Sequence, residues 1–306
     1  MAQPAQNIFH ALDQALAAAV ATAARSVVHV ARGHGHAGTG IVWAADLVVS
    51  SSFHTPDRTR VGIAAGEGES DGDLDRRDAE VIGRDPGTDV ALLRVSGGGL
   101  VPATFRELGE LAVGNLALAL GRPGRTVRAS LRAIGVLGPS VRTPHGGTLD
   151  RYVESDRQIP RGFAGGPLID ADGAVIGMNT RTLLRGEDLA IPTATMRRVV
   201  DELAAHGGVR RGYLGVGAFP AQLPAQLAQL AGRDRGALVA NVEDGAPGAV
   251  AGILIGDVIV EVAGTPVTDP DSLRLALGDR PGETVTLTVL RGGALHVLSV
   301  TLGSRP

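Results

Sequence analysis

The run Arg161-Gly162-Phe163-Ala164-Gly165-Gly166-Pro167-Leu168 sets three glycines and a proline within eight residues. Glycine takes backbone conformations that other residues avoid and proline presets φ, so the run reads as a tight turn feeding a strand. A plain glycine-rich hairpin would account for these eight residues alone, so the neighbours decide. Tyr152-Val153-Glu154-Ser155-Asp156 precedes the run and is strand-like. Ala174-Val175-Ile176-Gly177-Met178-Asn179-Thr180 and Leu189-Ala190-Ile191-Pro192 follow it with the same texture.

Outward from there, short apolar runs recur between Gly, Pro and Asp turns. They fall at 26–30, 40–43, 47–51, 60–64, 79–83, 90–95, 116–120, 129–137, 152–155, 167–169 and 174–179. Many short strands separated by turn signals imply a mainly β barrel or sandwich, not βαβ units. The stretch 194–206 breaks the texture: Met196, Val199, Val200 and Leu203 repeat at helical spacing, and Gly207-Gly208 ends it. It reads as a domain terminus. A second β-rich unit follows from 210 to 306, with helices near 221–230 and 271–277. At the other end, 7–24 predicts an amphipathic helix packing Phe9, Leu12, Leu16 and Val20. The expected organisation is therefore an N-terminal helix over 1–25, a first domain over 26–206 and a second over 207–306. No repeat spans the two halves, and 66–75 reads as a polar loop.

Composition narrows the chemistry. A chain of 306 residues suffices for two modest domains, each with its own core. It has no cysteine, which removes disulfides, thiol nucleophiles and Cys-based zinc sites. All 29 basic residues are arginine, which removes lysine Schiff bases, Ser-Lys dyads and the phosphate-binding GxxxxGK[ST] loop. This Arg bias, with abundant Ala and Gly, suggests a GC-rich bacterial genome. A net charge of -3 and eight aromatic residues argue against a nucleic-acid partner. The longest early apolar stretch, 15–24, is half of what a bilayer needs, and no basic segment precedes it, so neither a membrane span nor a secretory signal is expected. The compartment stays open between cytoplasm and periplasm. Gly33-His34-Gly35-His36-Ala37-Gly38 satisfies G-x-G-x-x-G, but strand-like residues follow where a dinucleotide fingerprint opens a helix. His34 and His36 lack a third ligand nearby. A glycine loop is the better reading, and neither cofactor nor metal is expected.

The run 161–168 resembles the G-[DN]-S-G-G-P-L signature around the nucleophile of trypsin-like serine proteases, with Ala164 where the serine belongs. Its neighbours resemble the I-Q-T-D, V-V-G-I-N-T and F-A-I-P segments of the HtrA family. Upstream, Gly83-Arg84-Asp85-Pro86-Gly87-Thr88-Asp89-Val90-Ala91-Leu92-Leu93 resembles that family's G-x-D-P-x-T-D-L-A-V-L, which puts Asp89 on the triad aspartate. Gly38-Thr39-Gly40-Ile41-Val42 is similar to its G-S-G-V-I strand. Leu47 to His54 stands where L-I-V-T-N-A-H-V belongs. Aligned without a gap, Phe53 occupies the histidine position and His54 comes one residue late. A slip by one restores His54 but swaps the faces of the strand, unless a local bulge absorbs it. Both registers stay open.

The resemblance implies a trypsin-like double β-barrel with His54, Asp89 and the Ala164 position as catalytic set, and the amides of Gly162 and Ala164 as oxyanion hole. A methyl group cannot attack a carbonyl. Loss of the nucleophile costs about 10^6-fold in turnover, roughly 8 kcal/mol of barrier, so the chain as written is not expected to hydrolyse peptides. It is either a natural pseudoprotease or an active protease silenced by replacement at one position. The displaced His54 favours the first, the retained Asp89 and glycine frame the second.

The remaining segments resemble a PDZ module of the HtrA type. Arg211-Gly212-Tyr213-Leu214-Gly215-Val216 is similar to R-G-Y-L-G-I, and 246–259 to S-P-A-x-x-A-G-L-x-x-G-D-V-I. Gly264-Thr265-Pro266-Val267 and Arg291-Gly292-Gly293 are similar to its later turns. Such a module adds an extended peptide to a sheet edge while backbone amides hold its terminal carboxylate. Tyr213, Leu214, Gly215 and Val216 supply those contacts on this reading, with the helix at 271–277 closing the groove. The implied function is a protein-quality-control factor that binds unfolded proteins or C-terminal peptides. The alternative is an HtrA-type serine endopeptidase degrading misfolded proteins, inactivated at 164. The resemblance also implies an oligomer, commonly a homotrimer in the family.

Overall fold

The computed structural model describes residues 8–31, 37–64, 74–184, 187–278 and 280–305. The glycine loop at 33–38, with His34 and His36, falls mostly outside them. So does the polar loop, except that Leu74 and Asp75 already belong to a strand. The chain divides into two compact units, Met1–Thr143 with Thr148–Gly208, and Pro144–Gly147 with Val209–Pro306.

The first unit opens with helix α1 (Ile8–Ala24). Strands β1 (Val27–Val30), β2 (Gly38–Ala44), β3 (Leu47–Ser51), β4 (Arg58–Ala64), β5 (Leu74–Asp85) and β6 (Val90–Val95) close a barrel in the order β1-β2-β3-β6-β5-β4. Alternate residues fill it, Val28 and Val30 from one strand, Leu93 and Val95 from another, against Val42, Val48 and Val61. A second barrel follows from β7 (Leu116–Gly121) and β8 (Arg128–Gly138). A two-stranded excursion, β9 (Val141–Arg142) and β10 (Thr148–Leu149), leads on to β11 (Tyr152–Ser155), β12 (Pro167–Ile169), β13 (Val175–Leu184) and β14 (Glu187–Pro192). Its order, β7-β8-β11-β14-β13-β12, repeats the first barrel's connection pattern strand for strand. No sequence repeat betrays this, because a barrel wall asks only for alternating apolar residues and not for particular ones. Helix α2 (Thr193–His206) packs on β5, β6, β13 and β14, so it spans both barrels, and Gly207 caps it in the left-handed region at φ 73°.

α1 forms where the periodicity predicts but buries other residues. Ala19 and Ala23 face the barrels, whereas Phe9 and Leu12 are exposed at 76% and 42%. The helix backbone passes close to the β12–β13 turn there: an added Cβ on Gly173 would lie 2.9 Å from the Ala19 carbonyl oxygen, so position 173 has to be glycine.

The second unit pairs β15 (Arg211–Tyr213) with β22 (Gly303–Arg305). Its main sheet runs β16 (Val216–Gln222), β17 (Arg235–Val242), β18 (Val258–Val262), β20 (Thr284–Arg291), β21 (Ala294–Thr301), with β19 (Thr265–Pro266) against β18. Helices α3 (Ala225–Ala231), α4 (Pro247–Val250) and α5 (Pro270–Leu277) complete it. α3 starts later than the 221–230 pattern suggests, because β16 runs through Gln222 and Pro224 precedes the helix. Leu214, Ala237, Ile253, Leu273, Leu287 and Val289 form the core of this unit.

Candidate protease-like cleft and peptide groove

Asp89 sits at the end of the turn that joins β5 to β6. Asp85 builds that turn, its carboxylate accepting the Gly87 N–H at 3.0 Å and the Thr88 hydroxyl at 2.7 Å. Asp89 then adopts φ 58°, a left-handed conformation that aspartate tolerates better than most residues. It is fully buried. Its carboxylate gathers donors from both barrels: the Phe53 N–H at 3.0 Å, the Ser51 hydroxyl at 2.8 and 2.9 Å, and the Thr180 hydroxyl at 2.6 Å. Burial raises its pKa above the ordinary carboxylate value, and the hydrogen bonds from Phe53, Thr180, Ser51 and Thr182 oppose that rise.

β3 pairs with β6 from Leu47 opposite Arg94 to Ser51 opposite Val90 without a register shift, so this ladder contains no bulge. The chain then leaves the strand in a single 3-10 turn, Ser52–His54. His54 meets Asp89 through an intermediary, its Nδ1 lying 2.8 Å from Ser51 Oγ. Phe53 is 42% exposed. Arg84 steadies the turn, donating to the Ser52 carbonyl at 2.8 Å while pairing with Asp57 at 2.8 Å.

The turn 161–166 comes from the second barrel and seats on the end of β3. Gly162 and Gly165 both take left-handed conformations, φ 85° and 83°. A Cβ on Gly165 would overlap the Thr39 carbonyl oxygen and lie 2.7 Å from Ser50 Oγ and 2.8 Å from the Ser51 nitrogen, so only glycine fits there. Thr39 stitches the turn to the first barrel. Its N–H donates to the Ala164 carbonyl at 3.3 Å, its hydroxyl donates to the Gly162 carbonyl at 2.6 Å, and that hydroxyl accepts the Arg122 N–H at 2.8 Å. Among the described residues, the N–H groups of Gly162 and Ala164 donate to no acceptor. Ala164 itself is 6% exposed. The described residues hold no cluster of three or more metal-ligating side chains.

In the second unit β16 is an edge strand, hydrogen-bonded only to β17 within the sheet. A groove of about 370 Å3 runs beside it, lined by Val216 and Ala218 from β16 and by Leu273 and Leu277 from α5. Tyr213, Leu214 and Gly215 form its end. Gly215 turns the chain at φ 74°, and its carbonyl accepts the Glu243 N–H at 2.8 Å. The N–H groups of Leu214 and Gly215 donate to no acceptor among the described residues. α5 is held by a capping box in which Asp269 accepts the Ser272 N–H at 2.7 Å and Ser272 Oγ accepts the Asp269 N–H at 2.9 Å. Motif reading does not assign Ser51, Thr180 or Arg122 to the cleft, nor Ala218 to the groove, and it places the helix that carries Leu273 there without singling out that residue. Thr180 and Ser51 lie inside the recognised runs, yet only the fold brings them to Asp89.

Residues 38–178 match a trypsin-like peptidase domain and 212–302 a PDZ domain. Twin six-stranded barrels followed by that sheet make this a trypsin-like chain with a C-terminal PDZ domain. Probable periplasmic DegP-like serine endoproteases are similar to it. That of Brucella suis is 32% identical over 281 residues, covering 88% of this chain and 53% of the relative. That of Ectopseudomonas mendocina is 33% identical, covering 88% and 56%. The chain thus spans about half the length of the curated relatives it matches. The HtrA-type protease AlgW, solved with a decapeptide, is 26% identical with a TM-score of 0.67, covering 95% of this chain and 99% of that one. A serine endoprotease from Yersinia pestis, 24% identical, shares the fold at a TM-score of 0.65, with full coverage of both chains. Together these likenesses make the chain similar to HtrA-type proteases, with a trypsin-like domain followed by a PDZ domain.

Proposed function

We propose that this chain is a protein-quality-control factor that binds unfolded or C-terminal peptide segments through its PDZ groove and its protease-like cleft, and that it is catalytically silent as written. The observation that carries the reading is Ala164, a methyl side chain in a turn whose two glycines and two uncommitted amides are otherwise those of a nucleophile loop. In the cleft those amides would receive a peptide carbonyl without attack upon it. In the groove an extended peptide would lengthen the sheet along β16, its carboxylate on the Leu214 and Gly215 amides and its last side chain against Leu273 and Leu277.

The second reading, an endopeptidase silenced at one position, draws on the intact surroundings of Asp89 and on the contact that brings His54 to it through Ser51. The similar endoproteases are described as probable periplasmic proteins, which favours the periplasm over the cytoplasm as compartment. A homotrimer belongs to the same reading through the family resemblance.

Hydrolysis of unfolded casein by the purified chain and by Ala164→Ser, at matched concentration, tests both. Cleavage by the variant alone assigns the chain to the silenced endopeptidase. Cleavage by neither supports a role confined to binding. Cleavage by the unaltered chain overturns Ala164 as the nucleophile position.

A further inference from the structure

We propose that Ser51 is a positioning residue that bridges Asp89 to His54, so that a histidine placed one residue late in the chain is still oriented by the buried aspartate. Ser51 Oγ lies 2.8 and 2.9 Å from the two Asp89 oxygens and 2.8 Å from His54 Nδ1. A hydroxyl has one proton to give. The Asp89 carboxylate, which already receives the Phe53 N–H and the Thr180 hydroxyl, takes that proton as well. Ser51 Oγ is then an acceptor toward the imidazole, and Nδ1 must carry the hydrogen between them. That fixes the Nδ1–H tautomer and makes Nε2 the basic nitrogen, the state a general base needs. A direct aspartate–histidine contact would give the same tautomer. Here the turn Ser52–His54 displaces the ring and the serine spans the difference.

Ser51 suits the task because it is fully buried at the last position of β3, where the ladder to β6 fixes its direction. Thr55 shares the enclosure, donating to the Ser51 carbonyl at 2.8 Å and leaving the Ser51 hydroxyl to the chain. Among the described residues, the charged groups near His54 include Asp89, reached through Ser51, and the Arg84–Asp57 pair, reached through the Ser52 carbonyl.

The role of this bridge in catalysis rests on the protease-like reading of the cleft, whereas the hydrogen-bond chain does not. Long-range proton–nitrogen NMR on the 15N-histidine-labelled full chain, at about pH 8, well above the ordinary imidazole range, reads the tautomer directly. His54→Gln assigns the signal. The expected result is Nδ1–H in the unaltered chain, with loss of that preference in Ser51→Ala. An Nε2–H tautomer in the unaltered chain overturns the proposal even if Ser51→Ala fails to fold, and so does an Nδ1–H signal that survives Ser51→Ala. In the Ala164→Ser background, Ser51→Ala is expected to lower kcat about tenfold or more with KM unchanged. Equal kcat overturns the positioning role. If Ala164→Ser proves inactive, the protease reading fails and the tautomer still decides the bridge.

Discussion

Asp89 is the residue on which the first unit turns, and its environment carries a pH signature. Burial lifts its folded-state pKa above the ordinary value, with the hydrogen bonds from Phe53, Thr180 and Ser51 holding the rise in check. A carboxyl with a raised folded pKa binds more protons in the folded state than in the unfolded one. Its contribution therefore favours folding below the unfolded value and is lost as pH rises through the folded one. An asparagine side chain at this position would keep an acceptor for the Phe53 N–H and tolerate φ 58° while removing the titration. Asp89→Asn is thus expected to gain stability relative to the parent as pH rises from about 4, as read by urea unfolding at a series of pH values. A parent that gains on the variant as pH rises contradicts this account. The same residue shows how little of a buried network a linear reading yields. The resemblance singles out Asp89 and His54, but the donors that make the aspartate tenable are the Phe53 N–H and the hydroxyls of serines and threonines whose neighbours in sequence say nothing of their partner.

At the scale of elements, β16 and α5 together line the groove proposed to take the peptide. Neither suffices: an edge strand offers backbone hydrogen bonds without selectivity, and the helix offers Leu273 and Leu277 without an anchor for the chain end. A peptide ending in a free carboxylate is therefore expected to bind more tightly than its C-terminal amide, by about tenfold or more, since two amides at Leu214 and Gly215 answer the charge. Leu273→Asp, which places a carboxylate in the apolar lining, is expected to weaken both peptides alike. Fluorescence anisotropy of a labelled peptide measures both effects, and equal affinities for acid and amide would remove the carboxylate-binding role of the loop. Element existence is well marked in this sequence: β3, β6, β11 and β12 begin and end where the apolar runs do. The faces of an element are not. α1 follows its predicted span yet buries Ala19 and Ala23 and leaves Phe9 and Leu12 exposed.

For the first unit as a whole, the junction of the barrels decides whether a site exists. Arg122, at the end of the second barrel's first strand, is 5% exposed. It donates to the Val27 carbonyl at 2.7 Å, the Ala24 carbonyl at 3.1 Å and the Arg125 carbonyl at 2.8 Å. Its N–H meets Thr39 at 2.8 Å, and its carbonyl lies 3.2 Å from His29 Nδ1. Burial depresses the pKa of Arg122, and burial likewise lowers that of His29. Arg122→Met keeps the apolar stem but strands the carbonyls of Val27 and Ala24. A loss of about 3 kcal/mol is expected, from the desolvation of polar groups left unpaired. Urea unfolding followed at Trp43, the sole tryptophan, reads the first unit selectively. An unchanged midpoint would show that the junction does not depend on this guanidinium.

Alternating apolar runs, punctuated by glycine, proline and aspartate, are enough to declare a mainly β chain with a second β unit after a helix, because those signals are local and each residue carries its own. The glycine frame around Ala164 is legible for the same reason: a conformation with φ near 85° demands glycine whatever surrounds it. Only the tertiary structure decided that both barrels share one strand order, that Gly165 must also be small because Thr39 and Ser50 crowd it, and that His54 meets Asp89 through Ser51. The last two of these facts bring together segments 35 or more positions apart, and a contact of that kind exists only once the barrels have closed and the cost of bringing distant segments together has been met.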